Sequence, residues 1–83
     1  MRKYISTVGL QTHVNNKLKL VRVAFTLHDD TVTACVENGY TLEPLKALGK
    51  RTLSRAEFAA LPDDPYNDLV FAQASFALFN LSI

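Results

Sequence analysis

Cys35 and His28 are the residues whose types could make a nucleophile and its base, and their spacing argues against that use. A thiol attacks as a thiolate, which needs a base within hydrogen-bond reach. If residues 21–37 form the hairpin derived below, Cys35 stands opposite Ala24, four residues along the strand from His28. At about 3.3 Å per residue the separation is on the order of 13 Å. Cys35 therefore reads as a small, inert, half-buried hydrophobe. His13, His28 and Cys35 lack the short paired spacings of a structural zinc site, and no stretch resembles a calcium loop, so neither metal nor cofactor is expected. The pairs Asp29-Asp30 and Asp63-Asp64 fall where turn and cap residues belong, which accounts for them without acid–base catalysis. Gly9, Gly39 and Gly49 are isolated and build no phosphate-binding loop. An enzyme would need a site assembled between subunits, and this stays as an alternative.

Charge is distributed unevenly. Residues 1–28 carry five basic side chains and no acid, whereas residues 29–83 carry four basic and eight acidic ones, so a formal +1 divides into +5 and −4. Lys17, Lys19 and Arg22 lie along one stretch, and Lys50, Arg51 and Arg55 lie at a helix entrance. These six are the candidates for phosphate contact. No helix-turn-helix pattern with a basic recognition helix is present, nor the aromatic–glycine signature of an RNA-binding sheet. Nucleic-acid binding is accordingly expected to be weak, salt-sensitive and indifferent to sequence.

The elements that position these residues must come from 83 residues and 9.2 kDa, which make a single domain spanning 1–83. A chain this short buries only about 60% of its unfolded surface, so a monomer is marginal. One cysteine makes no internal disulfide framework, which favours a reducing cytoplasm over a secreted miniprotein. Arg2 and Lys3 are followed by no apolar h-region, and the apolar run Leu69–Leu81 is too short to span a bilayer, so no membrane partner is expected.

From Val21 to Leu27, apolar Val21, Val23, Phe25 and Leu27 alternate with Arg22, Ala24 and Thr26 and lead into Asp29-Asp30. With a two-residue turn, Leu27 meets Val32, Phe25 meets Ala34 and Val23 meets Val36 on one face, while Thr26 meets Thr33 and Arg22 meets Glu37 on the other. The alternation in Lys17–Leu20 is out of phase with this, so either a bulge sits at Leu20-Val21 or the strand begins at Val21. Tyr4–Leu10 is expected as another strand and Gln11–Asn16 as a polar connection. After the Asn38-Gly39 turn, a third strand from Tyr40 is one option, a poor one because it sets Thr41 and Glu43 on the apolar face and includes Pro44. The preferred reading is a short helix capped by Thr41, with Pro44 in its first turn, carrying Leu42, Leu45 and Leu48 and ended by Gly49.

Ser54 and Glu57 form a capping box, with Leu53 and Phe58 as its hydrophobic staple, and this helix stops before Pro62. Asp64 and Pro65 then suit the start of a helix running to about Leu81. Between Leu69 and Leu81 its polar side chains are Gln73, Ser75 and Asn80, which leave no broad solvent face. Phe71, Phe76 and Phe79 are thus candidate anchors for a second copy or another protein, the alternative being that the chain's own sheet and helices cover them as core.

The fold class expected is α+β: a small antiparallel hairpin or meander sheet in the N-terminal half, packed against two or three helices in the C-terminal half. The function expected is a non-enzymatic protein–protein interaction domain, working through the apolar C-terminal helix and the hairpin and self-associating, with a homodimer the simplest form. A small regulator, an accessory subunit or an inhibitor fits this description, including the kind of inhibitor that phages and mobile elements encode. The alternative is a small nucleic-acid-binding protein using the basic N-terminal segment.

Overall fold

The computed structural model describes residues 3–82. The elements are β1 (Lys3–Ser6), β2 (Leu10–Val14), β3 (Lys17–Leu27), β4 (Thr31–Asn38), a 3-10 turn (Lys46–Leu48), β5 (Lys50–Ser54), α1 (Arg55–Ala59) and α2 (Asp68–Ala77). The five strands form one antiparallel sheet in the order β1-β3-β4-β5, and β2 pairs with the first part of β3. With two α-helices beside this sheet, the architecture is α+β.

The central hairpin has the expected register: Phe25 faces Ala34, Val23 faces Val36 and Arg22 faces Glu37. His28 donates its backbone N–H to Thr31 O at 2.8 Å, closing a two-residue turn at Asp29-Asp30. Alternation then sends Val21, Val23, Phe25, Val32 and Val36 to one face, where all are fully buried with Phe76.

The phase break at Leu20-Val21 has a different origin from either one expected. β3 begins at Lys17 and keeps a constant register with β2 and with β4, so it contains no bulge. The extra residue lies across from it. β1 ends with Ser6 opposite Ala24 and β2 resumes with Leu10 opposite Val21, which leaves Thr7, Val8 and Gly9 facing only Arg22 and Val23. At this bulge the Thr7 N–H donates to Val23 O at 2.9 Å, and the Thr7 hydroxyl accepts from the Val23 N–H at 3.0 Å. The single strand expected over Tyr4–Leu10 is therefore two strands. The polar connection expected over Gln11–Asn16 is β2 and a turn, with Asn15 (φ 51°) and Asn16 (φ 65°) both left-handed, a conformation asparagine tolerates and tight hairpins require.

The helix expected over Thr41–Gly49 does not form. The Asn38 side chain accepts from the N–H groups of Tyr40 and Thr41, and Leu42 sits at φ 64°, outside the right-handed helical region. The chain instead folds back: Asn38 N–H donates to Glu43 O at 2.9 Å and Leu45 N–H to Val36 O at 2.8 Å. Pro44 then stands opposite Glu37 in a position whose N–H would point away from β4, so the missing donor costs no ladder bond. Gly49 (φ 69°) does terminate the short 3-10 turn that remains. β5 has no signature in the sequence, because Lys50-Arg51-Thr52-Leu53 shows no alternation and only Leu53 is buried.

The Ser54–Glu57 capping box is formed in both directions, at 3.0 and 2.9 Å. α2 is shorter than the span expected for it. Asn67, not Asp64, caps it, and Asp64 instead accepts from the Tyr66 N–H in the preceding turn. Its end is set by Asn80 at φ 58°, with Leu81 N–H on Phe76 O and Asn80 N–H on Ala77 O, a Schellman motif with asparagine in the position glycine usually takes. The sheet covers its inner side, where Phe76 is 0% and Phe79 8% exposed. Its outer side exposes Leu69, Gln73 and Ala77, one large apolar, one polar and one small side chain.

Candidate functional site

The bulge at Thr7 fixes which way the backbone of β1 points. Because Thr7 bonds Val23, and antiparallel pairing alternates, the backbone groups of Lys3 and Ile5 face β3 while those of Tyr4 and Ser6 face outward. Among the described residues β1 pairs with β3 alone, so the N–H and C=O of Tyr4 and Ser6 form an open sheet edge. Beside Ser6 lies a cleft of about 340 Å³ lined by Ile5, Phe58, Leu61, Phe71 and Asp63. A smaller cleft of about 130 Å³ adjoins it, bounded by Ser6, Thr7, Val8, Asp63, Asp68 and Phe71. The chain thus sets unpaired backbone next to an apolar depression with an acidic end.

Local sequence explains this placement. The capping box starts α1 so that Phe58 reaches Phe25 at 5.0 Å between ring centroids, and α2 brings Phe71 to 5.6 Å from Phe25 and 6.3 Å from Phe58. These tilted and edge-on contacts hold the cleft floor. Of the three aromatic rings singled out in the sequence, Phe71 alone lines the cleft and is half-buried; Phe76 and Phe79 belong to the core beneath α2. Phe58 reads in the sequence only as the staple of α1, and Ile5 and Leu61 carry no local signal, because they meet Phe71 only through the pairing of β1 with β3 and the packing of α1 and α2.

The face of the sheet away from the core carries a second arrangement. Tyr4 donates its hydroxyl to Glu37 Oε1 at 2.7 Å, and Arg22 reaches the same oxygen through Nε at 3.0 Å and the Tyr4 oxygen through Nη2 at 3.0 Å. Burial and the neighbouring Glu37 carboxylate raise the Tyr4 phenol above its ordinary value. Arg22, with its guanidinium carbon 5.9 Å from the Tyr4 ring centre, is held more firmly protonated by its bonds to Glu37 and Tyr4, which outweigh desolvation. Cys35 is half-buried on this face, opposite Ala24, and burial followed by the field of Glu37 pushes its thiol up. His28 spends Nε2 on the Thr33 hydroxyl at 3.1 Å. Among the described residues no group of three His, Cys, Asp or Glu could hold a metal ion.

The six basic candidates do not share a surface. Lys17 and Lys19 alternate onto the side of Val21, Arg22 and Lys50 onto the opposite face, and Arg51 onto the core side beyond the helices. Arg22 is committed to Glu37, and Arg55 donates to the backbone oxygen of His28 at 3.0 Å. No helix among the described residues is long and apolar enough to cross a membrane. No protein-family model, curated protein or solved structure matches the chain, so the site rests on its own geometry.

Proposed function

We propose that this chain is a non-enzymatic protein–protein interaction domain, acting as a small regulator, accessory subunit or inhibitor, that takes an extended segment of a partner protein along β1. The observation that carries this reading is the outward-facing backbone of Tyr4 and Ser6 set beside the Phe58–Leu61–Phe71 cleft. A strand added to a sheet edge gains affinity from main-chain bonds and specificity from the alternate side chains that enter pockets. Every pairing in this sheet is antiparallel, and an antiparallel occupant extends that pattern. Its residue opposite Ile5 falls on the cleft side and is apolar. Its residue opposite Thr7, two positions earlier and on the same side, meets Asp63 and Asp68 and is basic. The partner segment therefore reads basic-x-apolar.

The reading is tested by titrating isotope-labelled protein with the acetylated hexapeptide Thr-Lys-Thr-Ile-Thr-Thr and its Lys-to-Glu counterpart, following backbone amide signals. The lysine peptide is expected to shift Tyr4, Ser6, Phe58 and Phe71, and the glutamate peptide to do so much less. Absence of shifts along β1 with either peptide, in protein that sedimentation shows to be monomeric, overturns the reading. Nucleic-acid binding is less well supported, since the basic residues lie on two faces and two of them are occupied by partners within the chain.

A further inference from the structure

We infer that the occupant of the β1 edge is β1 of a second copy, joined antiparallel so that two sheets become one continuous sheet. This rests on reading that edge as a strand-capture site, and it names the partner. Three features of the edge favour self-pairing. Its outward backbone residues, Tyr4 and Ser6, are evenly spaced about Ile5. A two-fold axis through Ile5 therefore sets Tyr4 of each copy opposite Ser6 of the other, and both pairs exchange N–H and C=O bonds, four in all.

Charge points the same way. In sequence β1 opens on Lys3, while Asp63 and Asp68 border the cleft at its other end. An antiparallel pair turns the basic start of one copy toward the acidic end of the other, twice. The residues Lys3-Tyr4-Ile5 also have the basic-x-apolar order derived for the occupant. The opposite edge of the sheet is unsuited to this: β5 exposes Lys50 and Arg51, and self-pairing would set like charges together. The gain is largest for a chain of this size, which by itself buries only about 60% of its unfolded surface.

The test is the mass of the full chain in solution by sedimentation equilibrium over a range of concentrations, for the wild type, Ser6→Pro and Asp63→Lys. Proline at position 6 removes only an outward N–H and leaves the ladder to β3 whole. The wild type is expected to be a dimer, Ser6→Pro a folded monomer, and Asp63→Lys a dimer weaker by about a hundredfold, since the two-fold axis removes two close charge pairs at about tenfold each. Amide exchange in the wild type reads the same contact without mutation: protection of Tyr4 and Ser6 should rise with protein concentration, while that of Leu69 and Gln73 on the outer side of α2 should not. A wild type that stays monomeric at millimolar concentration overturns the inference. So does a dimer that Ser6→Pro leaves intact with the Tyr4 and Ser6 amides unprotected. A monomer that still binds the lysine hexapeptide along β1 fails this inference alone, and one that binds neither fails the strand-capture reading too.

Discussion

The two faces of the sheet are made by alternate residues of the same strands, yet they are held by different physics. On the helix-covered face Val21, Val23, Phe25, Val32 and Val36 are fully buried and pack with Phe76. On the other face the corresponding positions are Arg22, Ala24, Thr26, Thr33 and Cys35, with Tyr4 and Glu37 beside Arg22. The first face gains its stability from apolar area removed from water, a non-directional effect that scales with size. The second depends on a few directed bonds and gains less from each. A one-residue slip of β3 against β4 would exchange the two sets, so the contrast between the faces is also what specifies the register.

Five substitutions break or sharpen this contrast. Phe25→Ala, at the centre of the covered face, removes a ring packed on Phe58 and Phe71 and should cost about 3–5 kcal/mol, measured as the fall in unfolding free energy by urea denaturation. Arg22→Ala, the largest expected effect on the open face, leaves the buried Glu37 with only the Tyr4 hydroxyl and should cost about 1–3 kcal/mol in the same measurement. A loss as large as that of Phe25→Ala would mean that the polar face carries stability equal to the core. Ser54→Ala belongs to neither face and should cost about 1 kcal/mol through the lost cap. Its partner in the capping box gives a pH signature: bonds from the Ser54 backbone and side chain hold the Glu57 carboxyl below its ordinary value. That contribution is present above the usual carboxylate range and lost as pH falls through it, so the stability gap between wild type and Glu57→Ala should close in acid. Smallest of all, Cys35→Ser should change stability by no more than about 0.5 kcal/mol. Its raised thiol should react with iodoacetamide at pH 8 more slowly in the folded chain than in the urea-unfolded one.

The hairpin was legible in the sequence because both faces of β3 and β4 alternate without interruption, and the capping box because Ser54, Glu57 and their staple lie within six residues. What could not be read depends on contacts distant in the chain. β5 has one buried residue, and it becomes a strand because β4 offers an edge to pair with, from Thr31 to Cys35. The turn at Asn15-Asn16 uses a dipeptide weaker as a signal than Asn-Gly, and the break at Thr7–Gly9 is visible only against the register of β3. The candidate cleft joins Ile5 and Ser6 to Phe58, Leu61 and Phe71, residues separated by more than fifty positions, so no local spacing announces it. The aromatic rings of α2 were recognised as anchors from composition, and the partner they anchor to is for the most part the chain's own sheet.

β3 pairs with β2 across a two-residue turn and with β4 across another, so residues 10–38 contain three strands joined by the shortest possible loops. The bond from the Thr12 hydroxyl to Ser82 O, by contrast, closes a span of 70 residues. This difference has a kinetic consequence. Loop closure costs more entropy the longer the loop, so the β2–β3–β4 meander should nucleate folding and the docking of residues 78–82 should follow the transition state. Chevron plots can read the order directly. Val23→Ala should chiefly slow folding, whereas Thr12→Val should chiefly speed unfolding and leave the folding limb in place.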